Sequence, residues 1–384
     1  MADANFSHVR LDALYTVVPQ KELRIEDELP YYGNSMKKAE RARRILGTDK
    51  RRIAYPGLIA SDLCRVAAER LLAEQEVDRT SVDALIFLSQ SPDFDLPATA
   101  CRLQHELGLS KHCAAFDVNQ GCAGFVYGLW LASSLIAAGG CRKVLLLTGD
   151  SCYVARDARN RITAPIFGDG SSAALICRDE NAPDMRFSLG TDGAGFRHII
   201  VPGGRAMLPY SRTFEENRSF FEDVEDALGN PWRLNEVFMN GGEIFNFVMT
   251  TVSEHLKNFM QQTNVSSETV DWLFLHQANK QIIETLAAQV GMPVEKTPST
   301  AFSKYGNLSS SSIPSAMCEQ FGGTTVTGQK LLLCGYGVGL SWASCLMNAN
   351  NLRCAPVISV GPDDVPAKWT LEQWSGLLRG SEEQ

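Results

Sequence analysis

Residues 82–90 read Val-Asp-Ala-Leu-Ile-Phe-Leu-Ser-Gln, and residues 270–277 read Val-Asp-Trp-Leu-Phe-Leu-His-Gln. With one gap allowed, both run from an acidic turn through an unbroken apolar stretch to a polar end. A strand covered on both faces needs such a run, because neither face meets water. Each copy follows an amphipathic helix and a polar turn. A second echo pairs Phe167-Gly168-Asp169-Gly170-Ser171-Ser172-Ala173-Ala174 with Tyr336-Gly337-Val338-Gly339-Leu340-Ser341-Trp342-Ala343. Both are glycine-rich turns feeding a strand of small and apolar residues. Two echoes in the same order, each offset by roughly half the chain, predict a duplicated α/β unit.

Working outward, Ala84–Ser89, Val144–Thr148 and Leu331–Cys334 read as buried strands. Helical periodicity fills the intervals, as at Ser61–Ala73 and Thr99–Leu107, and alternation of this kind predicts an α/β layered fold. Residues 202–235 carry Pro202-Gly203-Gly204, Phe220, Phe221, Glu222, Asp223 and Pro231-Trp232, an acidic and aromatic stretch that reads as an insertion. After Ala349 the pattern stops. Pro356, Gly361-Pro362 and Pro366 predict an irregular tail with a short helix over Thr370–Leu378. The expected division is an N-terminal half at 1–190, a connection at 191–240, a C-terminal half at 241–349 and an extension at 350–384.

The chain of 384 residues carries a net charge of −8, which disfavours general nucleic-acid binding. Its first residues show neither a basic nor an apolar leader region, and no apolar run approaches the roughly 18 residues of a membrane span. A cytoplasmic protein without a membrane partner is expected. The eleven cysteines are irregularly spaced, with no Cys-x-x-Cys pair and no zinc-type cluster. They are expected to be free thiols, mostly core residues, with no metal.

One cysteine differs. Asn119-Gln120-Gly121-Cys122-Ala123-Gly124-Phe125 lies between a short strand, Ala114–Val118, and a long helix, Phe125–Ala138. A thiol at a helix N-terminus is expected to have a lowered pKa, and the flanking small residues let backbone or substrate come close. His276 ends an apolar strand, where ligands bind in open α/β sheets. The other histidines, His8, His105, His112, His198 and His255, read as polar-face or loop residues. Asn307 sits in Lys304-Tyr305-Gly306-Asn307-Leu308-Ser309-Ser310-Ser311-Ser312, which taken alone suits a cap or turn.

Together these motifs resemble the thiolase-fold condensing enzymes, most closely the β-ketoacyl-acyl-carrier-protein synthase III group, over about residues 8–348. The resemblance rests on Gly-Cys-Ala-Gly-Phe at 121–125, His-Gln-Ala-Asn at 276–279, Tyr-Gly-Asn at 305–307, Gly-Tyr-Gly-Val-Gly-Leu-Ser-Trp at 335–342 and Ile-Phe-Gly-Asp-Gly at 166–170. It implies a five-layered αβαβα fold with internal duplication. It also implies that Cys122 takes an acyl group from a thioester, and that His276 and Asn307 stabilise the enolate formed when a malonyl thioester loses CO₂. The backbone N–H groups of Cys122 and Val338 would hold the acyl oxyanion, with Gly337 and Gly339 permitting the approach. It implies a homodimer in which Leu96 reaches the partner's tunnel, substrates carried by coenzyme A or acyl carrier protein, and no tightly bound cofactor.

The chain departs from the family pattern in places. The family's adenine-stacking Trp is missing from residues 37–52, where eight basic and two acidic residues occur instead. Arg161 matches the family's other adenine-side residue. Lys37, Lys38, Arg43, Arg44 and Arg51 are expected to face a phosphate-rich cofactor or an acidic carrier. A family Asn near the pantetheine is replaced by Gly242. The long insertion and tail suggest a specialised member of the group. Thiolases place a second cysteine in the motif that here spans 335–342, where none occurs. Type III polyketide synthases normally follow the histidine with Pro-Gly-Gly, and here Gln277-Ala278-Asn279 stands. Alternatives are polyketide synthase-like activity, acyl transfer to an oxygen or nitrogen nucleophile, or a non-catalytic subunit, which would be expected to have lost one of the three residues.

Overall fold

The computed structural model describes residues 2–151, 157–211, 213–226, 229–368 and 370–378. The first half contains β1 (Ala2–Phe6), β2 (Val9–Pro19), α1 (Met36–Leu46), α2 (Ala60–Glu74), β3 (Ala84–Leu88), α3 (Thr99–Glu106), β4 (Ala114–Val118), α4 (Gly124–Ala137), β5 (Lys143–Asp150) and β6 (Gly170–Arg178). Then come β7 (Met185–Thr191), α5 (Ser253–Gln262), β8 (Trp272–Leu275), α6 (Lys280–Gln289), α7 (Ser312–Phe321), β9 (Thr324–Val326), β10 (Lys330–Gly337), β11 (Ser341–Asn348), β12 (Leu352–Cys354), β13 (Ile358–Val360) and α8 (Leu371–Leu378), with shorter elements between.

The echoes are structural. Strand β3 runs parallel to β5, which turns antiparallel into β6. Strand β8 runs parallel to β10, which turns antiparallel into β11. The larger sheet has the order β9-β12-β2-β6-β5-β3-β4, with β13 also on β2, and the smaller has β1-β7-β11-β10-β8.

Alternation along the central strands explains the layers. Ile86 and Leu88 of β3 enter one core, and Leu85 and Phe87 enter another on the opposite face. The first core lies between the sheets and holds Phe125, Val126, Leu129 and Ile136 of α4 with Ile313 and Met317 of α7. Helix α4 carries no charged residue, as a helix enclosed by two sheets must. Gly128 lets it approach the larger sheet, since an added Cβ would meet Leu146 Cδ1 at 2.7 Å. Helices α2 and α3 cover the outer face of the larger sheet, and α5 and α6 that of the smaller. This gives the five layers αβαβα. Each fully buried Leu, Ile or Phe contributes about 1.5–3 kcal/mol.

The tail holds the short helix expected near its end, as α8, but the stretch before it departs from the irregular path expected of it. β12 and β13 pair in parallel with β2, with Arg353 opposite Ala13 and Ile358 opposite Val17. Three-residue strands are too short to show periodicity, and the buried Leu352, Cys354 and Val360 hold them down. In the other direction, β1 leaves the first half to pair with β7 in the smaller sheet. Helix α8 sets Trp374 edge-on to Phe94, with ring centroids 5.8 Å apart.

Candidate active site

Strand β4 delivers the chain to the turn that holds Cys122, and α4 begins two residues later. Glycine is required around the thiol. A Cβ on Gly337 would lie 2.6 Å from Cys122 Cβ and 2.8 Å from its Sγ, and one on Gly121 would lie 2.6 Å from Val338 Cγ1. The β10–β11 turn is therefore pressed against the Cys122 turn, and no other side chain fits between them.

Cys122, His276 and Asn307 line one cavity of about 1120 Å³, together with Gly337, Val338 and Ser309. His276 follows β8, with its N–H donating to Cys334 O at 2.9 Å and its carbonyl accepting from the Tyr336 hydroxyl at 3.2 Å. The Gln277 amide braces this corner by donating to Leu275 O and Pro298 O. The Ile166–Gly170 turn supports Asn307, whose N–H donates to Ile166 O at 2.9 Å and whose carbonyl accepts from Gly168 at 3.1 Å. Asn307 Oδ1 accepts from Ser309 N–H at 2.8 Å and from the Ser312 hydroxyl at 3.2 Å. This fixes the amide, so Nδ2 faces His276 Nε2 at 3.4 Å.

Electrostatics define the resting state. Burial pushes the His276 pKa down to about 3, so the ring is neutral. Its Nδ1 has no hydrogen-bond partner among the described residues. When Nε2 carries the proton, Nε2 and Asn307 Nδ2 are two adjacent donors, suited to one oxyanion.

The lowered thiol pKa expected for Cys122 is corrected. Burial pushes it up to about 11, against the opposing pull of the Val338 N–H, its own N–H and the Ser309 hydroxyl, while Asp150 adds to the rise. Removing a thiolate from water costs more than the partial charge of a helix N-terminus returns. Cys122 rests as a thiol. Of the ten described cysteines, eight are buried, as expected of core residues, and Cys122 is half-buried.

The remaining candidates fall in several places. Arg161 lines the cavity, but its guanidinium stacks 4.2 Å above the Tyr32 ring and lies 3.6 Å from Glu28. Gly242 is exposed and outside the cavity, where its neighbours Gly241 and Ile244 form the wall. Gly339 also lies outside the lining and packs against Ser341. Leu96 is 83% exposed, beside Asp95, which pairs with Arg205 of the insertion. Lys37, Lys38 and Arg44 are exposed on α1, and Arg43 pairs with Glu26 at 3.0 Å and Asp49 at 2.9 Å. Arg51 does not belong to that patch. It is buried, pairs with Glu28 at 2.7 Å and donates to Ala164 O. His255 is likewise no surface residue, being buried with Nε2 3.0 Å from Ser344 Oγ.

Sequence reading missed Tyr32, Asp150, Ser309 and the wall formed by Val201 with Gly203, Gly204 and Tyr210 of the insertion. The run of four serines after Asn307 was the visible signal for Ser309. Nothing in the sequence marks Asp150, which only the sheet carries to the cavity.

The family description "3-Oxoacyl-[acyl-carrier-protein (ACP)] synthase III" matches residues 116–193, and its C-terminal counterpart matches 260–349. A β-ketoacyl-[acyl-carrier-protein] synthase III of Rhodopirellula baltica is 31% identical over 362 residues, covering 89% of this chain and 99% of that one. One from Syntrophomonas wolfei is 34% identical over 304 residues, 78% of this chain and 86% of that one. The crystal structure of a 3-oxoacyl-(acyl-carrier protein) synthase from Burkholderia xenovorans superposes with a TM-score of 0.83 at 31% identity, covering 93% of this chain and 99% of that one. A 3-oxoacyl-(acyl carrier protein) synthase III of Pseudomonas aeruginosa gives 0.75 at 28% identity, covering 92% and 100%.

Proposed function

The chain belongs to the 3-oxoacyl-[acyl-carrier-protein] synthase III family, and from that premise we propose that Cys122 carries an acyl group through a decarboxylative Claisen condensation assisted by His276 and Asn307. The protein is a condensing enzyme of the acyltransferase type, forming an acyl-cysteine and joining it to a malonyl thioester. The observation that carries the residue assignment is the convergence of the three side chains in one cavity, with Asn307 Nδ2 beside a neutral His276 Nε2.

The steps follow from this geometry. Cys122 sulfur attacks the donor thioester carbonyl, and the oxyanion is met by the N–H groups of Cys122 and Val338, which already face the sulfur. The donor thiol leaves, and a malonyl thioester enters with its carbonyl oxygen between Nε2 and Nδ2. Loss of CO₂ places negative charge on that oxygen. Each preorganised donor is worth about 3–4 kcal/mol there, as in other oxyanion sites. The resulting carbanion attacks the acyl-Cys122 carbonyl, the Cys122 thiolate departs, and a β-ketoacyl thioester is released. The weak basicity of His276 disfavours acyl transfer to an oxygen or nitrogen nucleophile, which needs a general base.

Acyl carrier protein and coenzyme A thioesters are the proposed substrates. The exposed Lys37, Lys38 and Arg44 of α1 favour an acidic carrier at the cavity mouth. The exposed Leu96 favours a homodimer in which a second copy covers it.

Intact-protein mass spectrometry tests the reading. Incubation with acyl thioesters is expected to give an adduct on Cys122 that only a malonyl thioester discharges, with release of CO₂. An adduct that survives Cys122→Ala, or one indifferent to malonate, refutes it.

A further inference from the structure

The four serines that follow Leu308 divide their bonds between two partners. Ser309 and Ser312 hold the Asn307 amide, whose Oδ1 accepts from the Ser309 N–H at 2.8 Å and the Ser312 hydroxyl at 3.2 Å. Ser310 and Ser311 anchor the turn to the end of β5. The Ser311 hydroxyl donates to Thr148 O at 2.8 Å. Ser310 donates twice to Asp150 Oδ2, from its hydroxyl at 2.8 Å and its N–H at 3.3 Å. All four serines and Asp150 are buried. Ser309 has φ 50°, in the left-handed region that a residue with a side chain rarely enters. Such a conformation persists where the surroundings over-determine it, and here the bonds to Asn307 and to β5 do so.

Asp150 also reaches the other way. Its Oδ1 accepts from Gln90 N–H at 2.7 Å and the Ser89 hydroxyl at 3.2 Å, just past β3. Gln90 lies against the Cys122 turn, since a Cβ on Gly121 would clash with Gln90 Oε1. Ser310 lies against the start of α4, where a Cβ on Gly124 would come 3.3 Å from Ser310 Cβ. One buried carboxylate therefore joins the strand end beside Cys122 to the turn that follows Asn307. Each of its oxygens accepts from a backbone N–H, which cannot turn away as a hydroxyl can, so a carboxylate fits where an amide does not. Burial pushes its pKa up, and the Gln90 and Ser310 donors pull against the rise. Two other carboxylates line the cavity with their bonds elsewhere. Asp117 accepts from the Thr99 and Ala100 N–H groups at the start of α3, and Asp95 pairs with Arg205.

We propose that Asp150 is a positioning residue for malonyl decarboxylation, setting through Ser310 the turn that aims Asn307 Nδ2 at the enolate oxygen. The proposal rests on Asn307 being a donor to that oxygen. Asp150 itself touches no reacting atom. It acts by fixing where the Asn307 amide stands relative to Cys122, and a donor misplaced by about 1 Å can cost on the order of 100-fold in rate.

The test follows labelled CO₂ from a carboxyl-labelled malonyl thioester on acylated enzyme, in Asp150→Asn, Ser310→Ala, Asn307→Ala and the two double variants with Asn307→Ala. Asp150→Asn is expected to lower kcat for CO₂ release on the order of 10- to 100-fold, with KM for the malonyl thioester little changed, because the donor matters most in the transition state. Ser310→Ala keeps the Ser310 N–H bond, so its loss should be smaller, roughly 3- to 10-fold, with acylation of Cys122 affected far less. In the Asn307→Ala background neither substitution should cost more than about twofold, because residues that act as one unit are not additive. A merely structural role would slow both backgrounds by the same factor. Equal slowing with and without Asn307, or a folded Asp150→Asn protein that releases CO₂ at the wild-type rate, overturns the positioning role. If Asp150→Asn does not fold, Ser310→Ala and its double variant decide by the same comparison. Asn307→Ala that releases CO₂ at the wild-type rate overturns the enolate assignment and the positioning role together, whereas a slow Asn307→Ala beside a fully active Asp150→Asn overturns the positioning role alone.

Discussion

Asn307 does two jobs that one substitution separates by size. Its Oδ1 satisfies two buried donors, Ser309 N–H and the Ser312 hydroxyl, and its Nδ2 stands beside His276 as half of the proposed enolate site. Asn307→Ala orphans both donors. An unsatisfied buried donor costs about 1–3 kcal/mol, so with two of them the fold should lose about 2–6 kcal/mol, towards the lower figure because the adjoining cavity admits water. The same substitution removes one of two oxyanion donors. That should slow malonyl decarboxylation by about 100- to 1000-fold, equivalent to about 3–4 kcal/mol. Loading of Cys122 should change far less, since the Cys122 and Val338 N–H groups remain. The assay preloads the enzyme, adds carboxyl-labelled malonyl thioester and follows labelled CO₂, with urea unfolding run in parallel. A folded Asn307→Ala protein that releases CO₂ within tenfold of the wild-type rate would refute the enolate role.

Three further predictions use other parts of the molecule. Gly337→Ala puts a methyl within 2.8 Å of Cys122 Sγ, so loading should fall steeply while secondary structure by circular dichroism stays intact; unchanged loading would mean the two turns are not held together. His255 and His276 have pKa values pushed down by burial to about 4 and about 3, so in the unfolded chain they take up protons first as pH falls below about 6.5. Their contribution is complete above that pH and is lost on acidification, by about 2 kcal/mol each between pH 7 and pH 5. Urea unfolding at the two pH values checks this, and His255→Phe should remove about half of the difference. Reversing the charge of Lys37 and Arg44 should raise the apparent KM for carrier-linked substrates and weaken its salt dependence, with little effect on coenzyme A thioesters. Equal effects on both substrate forms would argue against a carrier surface.

By itself the sequence determined the duplicated α/β layers and picked out Cys122, His276 and Asn307, which the fold brings to one cavity. Continuous apolar runs record burial on both faces, and the repeat is visible because each copy must build the same strand. Short motifs such as Gly-Cys-Ala-Gly and Tyr-Gly-Asn are local, so their residues name themselves. Only the tertiary structure decided what surrounds them. Arg51 reads as one more basic residue, yet the fold buries it against Glu28, while its neighbours on α1 remain in water. The tail after Ala349 reads as coil because its strands are three residues long, and the β2 edge supplies the hydrogen bonds they lack alone. The charge state of Cys122 depends on how much water reaches the sulfur, and Asp150 meets the Ser310 hydroxyl across 160 positions of sequence only because sheet and turn converge. Desolvation and long-range convergence are properties of the packed molecule, so no local pattern carries them.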